Sequence, residues 1–400
     1  MSNVLFLNIP AHGHINPTLG LVDALIKEGE NVVYFCTDQF KKKIEKTGAI
    51  FKSYANFRGN HIPGKMSTID DYLDIINNDL YKSQETISEI LEKIKNIKFD
   101  YIVYSAMFPY ANIISQILKI PTISSFAIFA TKEELRPANS LSINENQIKN
   151  YQNTGIYKNV AGKLEKTYNI KMPEIVDMYF NMGDINIAYT SKYFVPHPEY
   201  YSENFIFIGP PIYDGEDNLD FPFEKLEGKE VIYISLGTVF NNTSSKLYDI
   251  FFKSFANSDV IVVMSAYNVD LSSFDIPSNF IVRNYVPQSK ILKYTDVAIT
   301  HAGMNSTNDL LYNNIPFVAI PIGADQPYMA GRASELGAAI SLDKDKLTSE
   351  ILKNSVKEVL INPSYLENIK KISSSFKQTG GYQKAVEEIF KLKKEKHIFD

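Results

Sequence analysis

A single cysteine, Cys36, stands in a chain of 400 residues. That scarcity excludes an intramolecular disulfide and any metal centre built from a cysteine cluster. Cys36 ends the apolar run VVYFC, where burial is its expected fate. Tryptophan is absent while Asn, Ile and Lys abound, a compositional bias without functional content. An excess of positive charge is also missing. Lys and Arg number 41 against 46 Asp and Glu, a net charge of -5, which gives no electrostatic case for nucleic acid or for an anionic membrane. No apolar run approaches the roughly 18 residues that span a bilayer. The first residues, VLFLN, enter a strand-turn-helix pattern with no basic segment or cleavage site, so the expected location is the cytoplasm.

What is present is a length and a rhythm. Four hundred residues, 44% hydrophobic and 22% charged, suit two globular domains rather than one core. Apolar runs at 4–8, 31–36, 49–54, 100–105, 185–189 and 204–210 alternate with helical patterns. The acidic, turn-rich stretch at 214–228 interrupts them. Strand-like runs then resume at 230–237, 260–266, 279–286, 296–303 and 316–321. Alternation of this kind predicts parallel, doubly wound sheets. The expected fold class is α/β, with two Rossmann-like domains and a cleft between them. Residues 131–180 lose the rhythm and are read as helices and loops covering that cleft. In such sheets ligands bind beyond the carboxyl ends of the strands.

Two stretches sit at such ends. In NIPAHGHINPT, His12 and His14 lie between a strand and a helix that Asn16 and Pro17 are expected to open. In ITHAGMNSTNDLL, Gly303 precedes a helix opened by Asn305, Ser306 and Thr307. A helix start offers amide donors and the positive end of a dipole, which suit an anion. A metal at His12-x-His14 would need further ligands, and the sequence offers no obvious ones. Asp343-Lys344-Asp345 falls in a charged turn and reads as a solvated loop.

Taken together, Pro287-Gln288, His301, Gly303, Asn305-Ser306, an acid at 309, Pro316, Pro321 and Asp325-Gln326 resemble the nucleotide-sugar signature of family 1 glycosyltransferases of GT-B fold. PAHGHINPT, FIGP (207–210) and SLGT (235–238) extend the resemblance over nearly the whole chain, closest to the bacterial macrolide glycosyltransferase branch. The resemblance implies an acceptor-binding domain over 1–212, a linker over 213–228 and a nucleotide-sugar domain over 229–380. A helix over 381–400 would pack back across the domains.

It also implies roles. Tyr285 would stack on the uracil, and the Val286 backbone and Gln288 would contact the nucleotide. His301, Gly303, Asn305, Ser306 and Thr238 would surround the pyrophosphate. Asp309 would take the ribose hydroxyls, one methylene short of the Glu of relatives. Asp325 and Gln326 would bind the sugar. His14 would be the general base, with a pKa near neutrality suited to the task. His12, Phe126 and Phe129 would line the acceptor site. Relatives hold the base with an Asp; the matching position here is Ser105, unless Asp100 at the far end of that strand, or Glu133 or Glu134, supplies the charge. The implied reaction is inverting transfer of a sugar, glucose by the Asp-Gln pair, from a UDP-sugar to a small hydroxylated acceptor. No cofactor and no metal are expected, and the chain would act as a monomer or weak dimer. A UDP-sugar epimerase or hydrolase, and a non-catalytic helper protein, remain as alternatives.

Overall fold

The computed structural model describes residues 1–54, 57, 69–127, 150–213, 220–237, 245–323 and 325–396. The chain forms two compact units. The first comprises Met1–Ser191, His197–Tyr213 and Thr379–Asp400; the second comprises Lys192–Pro196 and Asp214–Gln378.

Unit 1 is built on seven strands: β1 (Asn3–Leu7), β2 (Asn31–Cys36), β3 (Ile50–Ser53), β4 (Tyr101–Ser105), β5 (Thr122–Phe126), β6 (Ile185–Ala188) and β7 (Phe205–Phe207). Their order is β3-β2-β1-β4-β5-β6-β7 and every neighbouring pair is parallel. Unit 2 carries β8 (Val231–Ser235), β9 (Ile261–Ser265), β10 (Phe280–Arg283), β11 (Val297–Thr300), β12 (Phe317–Ala319) and β13 (Ala339–Ser341). They are ordered β10-β9-β8-β11-β12-β13, again all parallel. The central strands are buried along nearly their whole length; in β1, Val4, Leu5, Phe6 and Leu7 expose nothing. Helices on both faces of a parallel sheet require such uninterrupted apolar runs. In each sheet the order reverses once, between β1 and β4 and between β8 and β11.

The first helix departs from expectation. It spans His12–Lys27, with Ala11 as the extended residue before it and Pro17 inside it. Asn16 does not cap it; its side-chain oxygen accepts from Lys43 Nζ at 2.8 Å. The early start comes from a tight turn in which the amides of His14 and Ile15 both donate to the Ala11 carbonyl at 3.0 Å. His12 and His14 therefore ride on the first helical turn, not on the loop before it. Within the irregular region, Gly155–Tyr168 is a helix. Its Tyr157 and Leu164 join the core of unit 1.

The last helix, Gly381–Glu395, packs on the helix that carries His14. The Tyr382 hydroxyl donates to the Pro17 carbonyl at 2.8 Å. Its ring occupies the space a side chain at residue 20 would need, since a Cβ built on Gly20 would lie 2.1 Å from it. Further along, Lys393 Nζ pairs with Glu30 Oε1 at 2.8 Å, with side chains only 9% and 2% exposed. Tyr101 donates to the other Glu30 oxygen at 2.8 Å. Breaking a buried pair leaves an uncompensated charge, typically about 3–5 kcal/mol. Lys393→Ala is thus expected to lower the unfolding free energy by about 3 kcal/mol in urea denaturation. A loss under about 1 kcal/mol would mean that water reaches the pair, as it does for exposed ion pairs.

Candidate functional site

In unit 1 the site begins where the strand order reverses. β1 and β4 are hydrogen-bonded neighbours, so the turn after β1 and the end of β4 lie side by side. His14 Nδ1 comes within 3.1 Å of Ser105 Oγ. Ser105 Oγ also accepts from the Met107 amide at 3.3 Å. A serine oxygen has two lone pairs, so it can receive both N–H groups at once. Asp100 is at the opposite end of this strand, where it accepts from the Asn3 amide at 2.8 Å; it is no partner for His14. Glu133 and Glu134 lie outside the described residues. His12 meets the Phe40 ring edge-on at 4.9 Å. Its pKa is lowered, first by burial and then by the charge of Lys43.

One expectation fails here. Phe126 does not line an acceptor site: it is 2% exposed and packs edge-on against Phe205 of β7 at 5.0 Å. A strand buried on both faces leaves its aromatic residues no open side, so Phe126 is core. Phe129 lies outside the described residues.

In unit 2 the second reversal gathers a different set. Ser235 of β8 faces Thr300 of β11 in register, and Thr300 faces Ala319 of β12. The segments that follow these strands therefore share one edge of the sheet. His301 leaves β11 and is followed by Ala302 at φ 61, a left-handed conformation that is strained for a residue with a Cβ. Gly303 then precedes the helix Met304–Tyr312 and has no side chain to cap its first-turn amides. A methyl group on either Gly237 or Gly303 would lie 2.5 Å from His301 Nε2. Both positions must be glycine for the ring to sit there. Desolvation by the surrounding protein lowers the His301 pKa to about 4, so the ring is neutral at pH 7. Its Nδ1 is buried and has no hydrogen-bond partner among the described residues. Asn305 and Ser306 occupy the first turn of this helix.

The remaining residues form a second cluster. Gln288 opens the short helix Gln288–Ile291 after β10. Its Nε2 donates to Asp309 Oδ2 at 2.6 Å, and its Oε1 accepts from the Tyr233 hydroxyl at 3.0 Å. Asp309 is half-buried. Desolvation raises its pKa to about 7 against the opposing bond from Gln288. Tyr285 is 40% exposed, unusual for a large ring, while Val286 is buried. Asp325 is raised to about 6 by desolvation. Gln326 is buried, and its Oε1 accepts from the amides of Ile322 and Gly323 at 2.8 and 3.1 Å. Only its NH₂ group remains for a ligand. Thr238 lies outside the described residues.

Two structural partners went unread in the sequence. Tyr233 is the hydroxyl that fixes Gln288; its signal is a polar-tipped ring inside the buried run VIYIS. Gly237 is the second glycine against His301. Asp343 and Asp345 pair with Lys346 and Lys344 at the surface. Among the described residues no group of three or more His, Cys, Asp or Glu could hold a metal ion. Among them, too, no helix is long and apolar enough to cross a membrane.

Comparison with known proteins places these features in context. The profile of the family described as UDP-glucoronosyl and UDP-glucosyl transferase matches residues 142–380. YojK of Bacillus subtilis (strain 168), named an uncharacterized UDP-glucosyltransferase, is 34% identical over 99% of this chain and 98% of its own. The NDP-glycosyltransferase YjiC of Bacillus licheniformis is 30% identical over 97% of this chain and 96% of its own. Among solved structures, the calicheamicin glycosyltransferase CalG4 superposes with a TM-score of 0.81 at 20% identity, covering 98% of each chain. That likeness is one of fold.

The raised pKa of Asp309 carries a pH dependence. The folded protein keeps the proton up to about 7, whereas the unfolded chain releases it near 3.8. The native state binds more protons in that window, so this group's contribution to stability falls as pH rises through it. Asp309→Asn removes the effect. The difference in Tm between Asp309→Asn and the unmodified protein is expected to shift in favour of the variant from pH 5 to pH 8. A difference independent of pH would show that the carboxyl is not desolvated.

Proposed function

Because the chain belongs to the UDP-glucoronosyl and UDP-glucosyl transferase family, the family 1 glycosyltransferases of GT-B fold, and is a glycosyltransferase, we propose that it moves glucose from UDP-glucose to a hydroxyl of a small acceptor with inversion, using His14 as general base. The observation that carries this reading is the 3.1 Å approach of His14 Nδ1 to Ser105 Oγ. In the tautomer that catalysis requires, Nδ1–H donates to Ser105 and Nε2 is the basic nitrogen. Nε2 removes the acceptor proton as the oxygen attacks the anomeric carbon from the face opposite UDP. Unit 2 supplies the donor site. Tyr285 offers a ring face to the uracil. Gln288 and Asp309 address the ribose, and a half-open carboxyl with a raised pKa gains from hydroxyl donors in place of water. The start of the helix Met304–Tyr312, with His301, Asn305 and Ser306, stabilises the leaving pyrophosphate. The family resemblance assigns Thr238 to the same pyrophosphate. Asp325 and the Gln326 amide group take sugar hydroxyls, and the Bacillus relatives named as UDP-glucosyltransferases favour glucose. The helix end and neutral donors do the work that a metal does elsewhere, so no divalent cation is required.

The acceptor reading follows from Ser105. Serine orients the imidazole but itself adds no negative charge to steady the imidazolium, so, unless Glu133 or Glu134 supplies that charge, the base is weaker than one held by a carboxylate. A weak base suits an acceptor whose hydroxyl is already acidic. The natural acceptor is therefore phenol-like, or carries its own ionised group beside the attacking oxygen.

General-base catalysis is typically worth about 10²–10⁴ in rate. His14→Ala is expected to lose turnover in that range while keeping UDP affinity, measured by calorimetry beside an EDTA-treated assay of the unmodified protein. Retained turnover in His14→Ala would remove the base, and a need for added Mg²⁺ would remove the metal-free donor site. Ser105→Asp is expected to raise kcat/KM for an alkyl alcohol more than for a matched phenol, since only the former is limited by base strength. Equal changes for the two acceptors would break the link between Ser105 and acceptor acidity.

A further inference from the structure

We propose that Asn8 is a positioning residue for His14, acting with Tyr34 and Thr18 through a buried hydrogen-bond network that grips the backbone of the first helical turn; this rests on the reading of His14 as the base. Asn8 follows β1 and is fully buried. Its Oδ1 accepts from the Ile9 amide at 2.8 Å, which fixes the orientation of the side-chain amide. Its NH₂ group donates to the His14 carbonyl at 3.0 Å and to the Tyr34 hydroxyl at 2.7 Å. Thr18 Oγ1 lies 2.8 Å from that hydroxyl and donates its own proton to the Ile15 carbonyl at 2.7 Å. The directions are forced. The Asn8 amide nitrogen only donates and the Ile15 carbonyl only accepts, so Tyr34 passes its proton to Thr18. Burial raises the Tyr34 pKa and keeps that proton in place. The Tyr34 ring lies flat against Phe6, with centroids 4.4 Å apart and planes at 5°.

One network, hung from β1 and β2, thus holds two successive carbonyls at the turn that carries the base. Pro17 explains why the turn needs it. Pro17 lies inside this helix and has no N–H to give the Gly13 carbonyl four residues back, so the turn is tied by fewer helical bonds than usual. Ser105 fixes the ring and the Asn8 network fixes the backbone from which the ring hangs. Reacting groups must be held within a fraction of an ångström, and a misplacement of about 1 Å can cost roughly 10² in rate.

The decisive pair is Thr18→Val, which is isosteric but lacks the hydroxyl, and Thr18→Ser, which keeps it. Thr18→Val and Tyr34→Phe are expected to lower kcat about tenfold, and Asn8→Ala about 10²-fold, with the KM for UDP-glucose changed less than about twofold. Thr18→Ser is expected to return to within about twofold of the unmodified kcat. Active sites are counted by UDP titration, so a fall in folded protein does not imitate a fall in kcat; if Asn8→Ala does not fold, the Thr18 pair and Tyr34→Phe decide. An unchanged kcat in folded Thr18→Val, or Thr18→Ser as slow as Thr18→Val, would overturn the proposal. His14→Ala assayed alongside separates the two failures. If it turns over normally, the base reading falls and the proposal with it. If it is inactive while Thr18→Val is not impaired, only the network fails.

Discussion

The contact between His14 Nδ1 and Ser105 Oγ, 3.1 Å long, depends on β1 and β4 being neighbours although about 90 residues of chain separate them. Parallel sheets place successive strands at a distance and return the chain through helices, so the reversal of strand order is the one place where two turn segments open side by side. Unit 1 spends that opening on a histidine and a serine. Unit 2 spends its own, between β8 and β11, on the His301 ring seated against Gly237 and Gly303. The same topological rule opens both sheets, with different side chains gathered at each opening.

The electrostatics of the two openings differ. Unit 2 desolvates its groups and so disfavours their charged forms: His301 is driven down to about 4, while Asp309 and Asp325 are pushed up to about 7 and 6. Such groups gain from a ligand that supplies hydroxyls and phosphate oxygens in place of water. Unit 1 orients its imidazole through uncharged groups, serine at the ring and asparagine at the backbone.

Much of this was legible in the sequence because parallel sheets have a loud signal. Runs such as VLFLN, NVVYFC and VIYIS are apolar without alternation, as strands buried on both faces must be. The carboxyl ends of those runs then pointed to His14 and to the stretch from 300 to 307, while Ser105 and Asp309 came from the resemblance to family 1 glycosyltransferases. The strand β13 escaped notice because Ala339–Ser341 is too short to form a run. The helix start was misplaced because Pro17 suggested a first helical position, whereas the turn at Ala11 starts the helix earlier. Phe126 looked available because a lone ring in a sequence carries no sign of which face it uses. Asn8, Tyr34 and Tyr233 were invisible for a related reason. Each is a polar group inside an apolar run, and its partners are supplied by strands and helices remote in sequence.

The central claim is that His14 carries its resting proton on Nδ1, toward Ser105, and presents Nε2 as the base. Nitrogen NMR of histidine-labelled protein, with the His14 signals assigned by their loss in His14→Gln, reads the tautomer directly. The account predicts a protonated Nδ1 and an unprotonated Nε2 at neutral pH, with the Nδ1 signal shifted in Ser105→Ala. A protonated Nε2, with Ser105 donating to Nδ1, would contradict it, because that nitrogen could not accept the acceptor's proton.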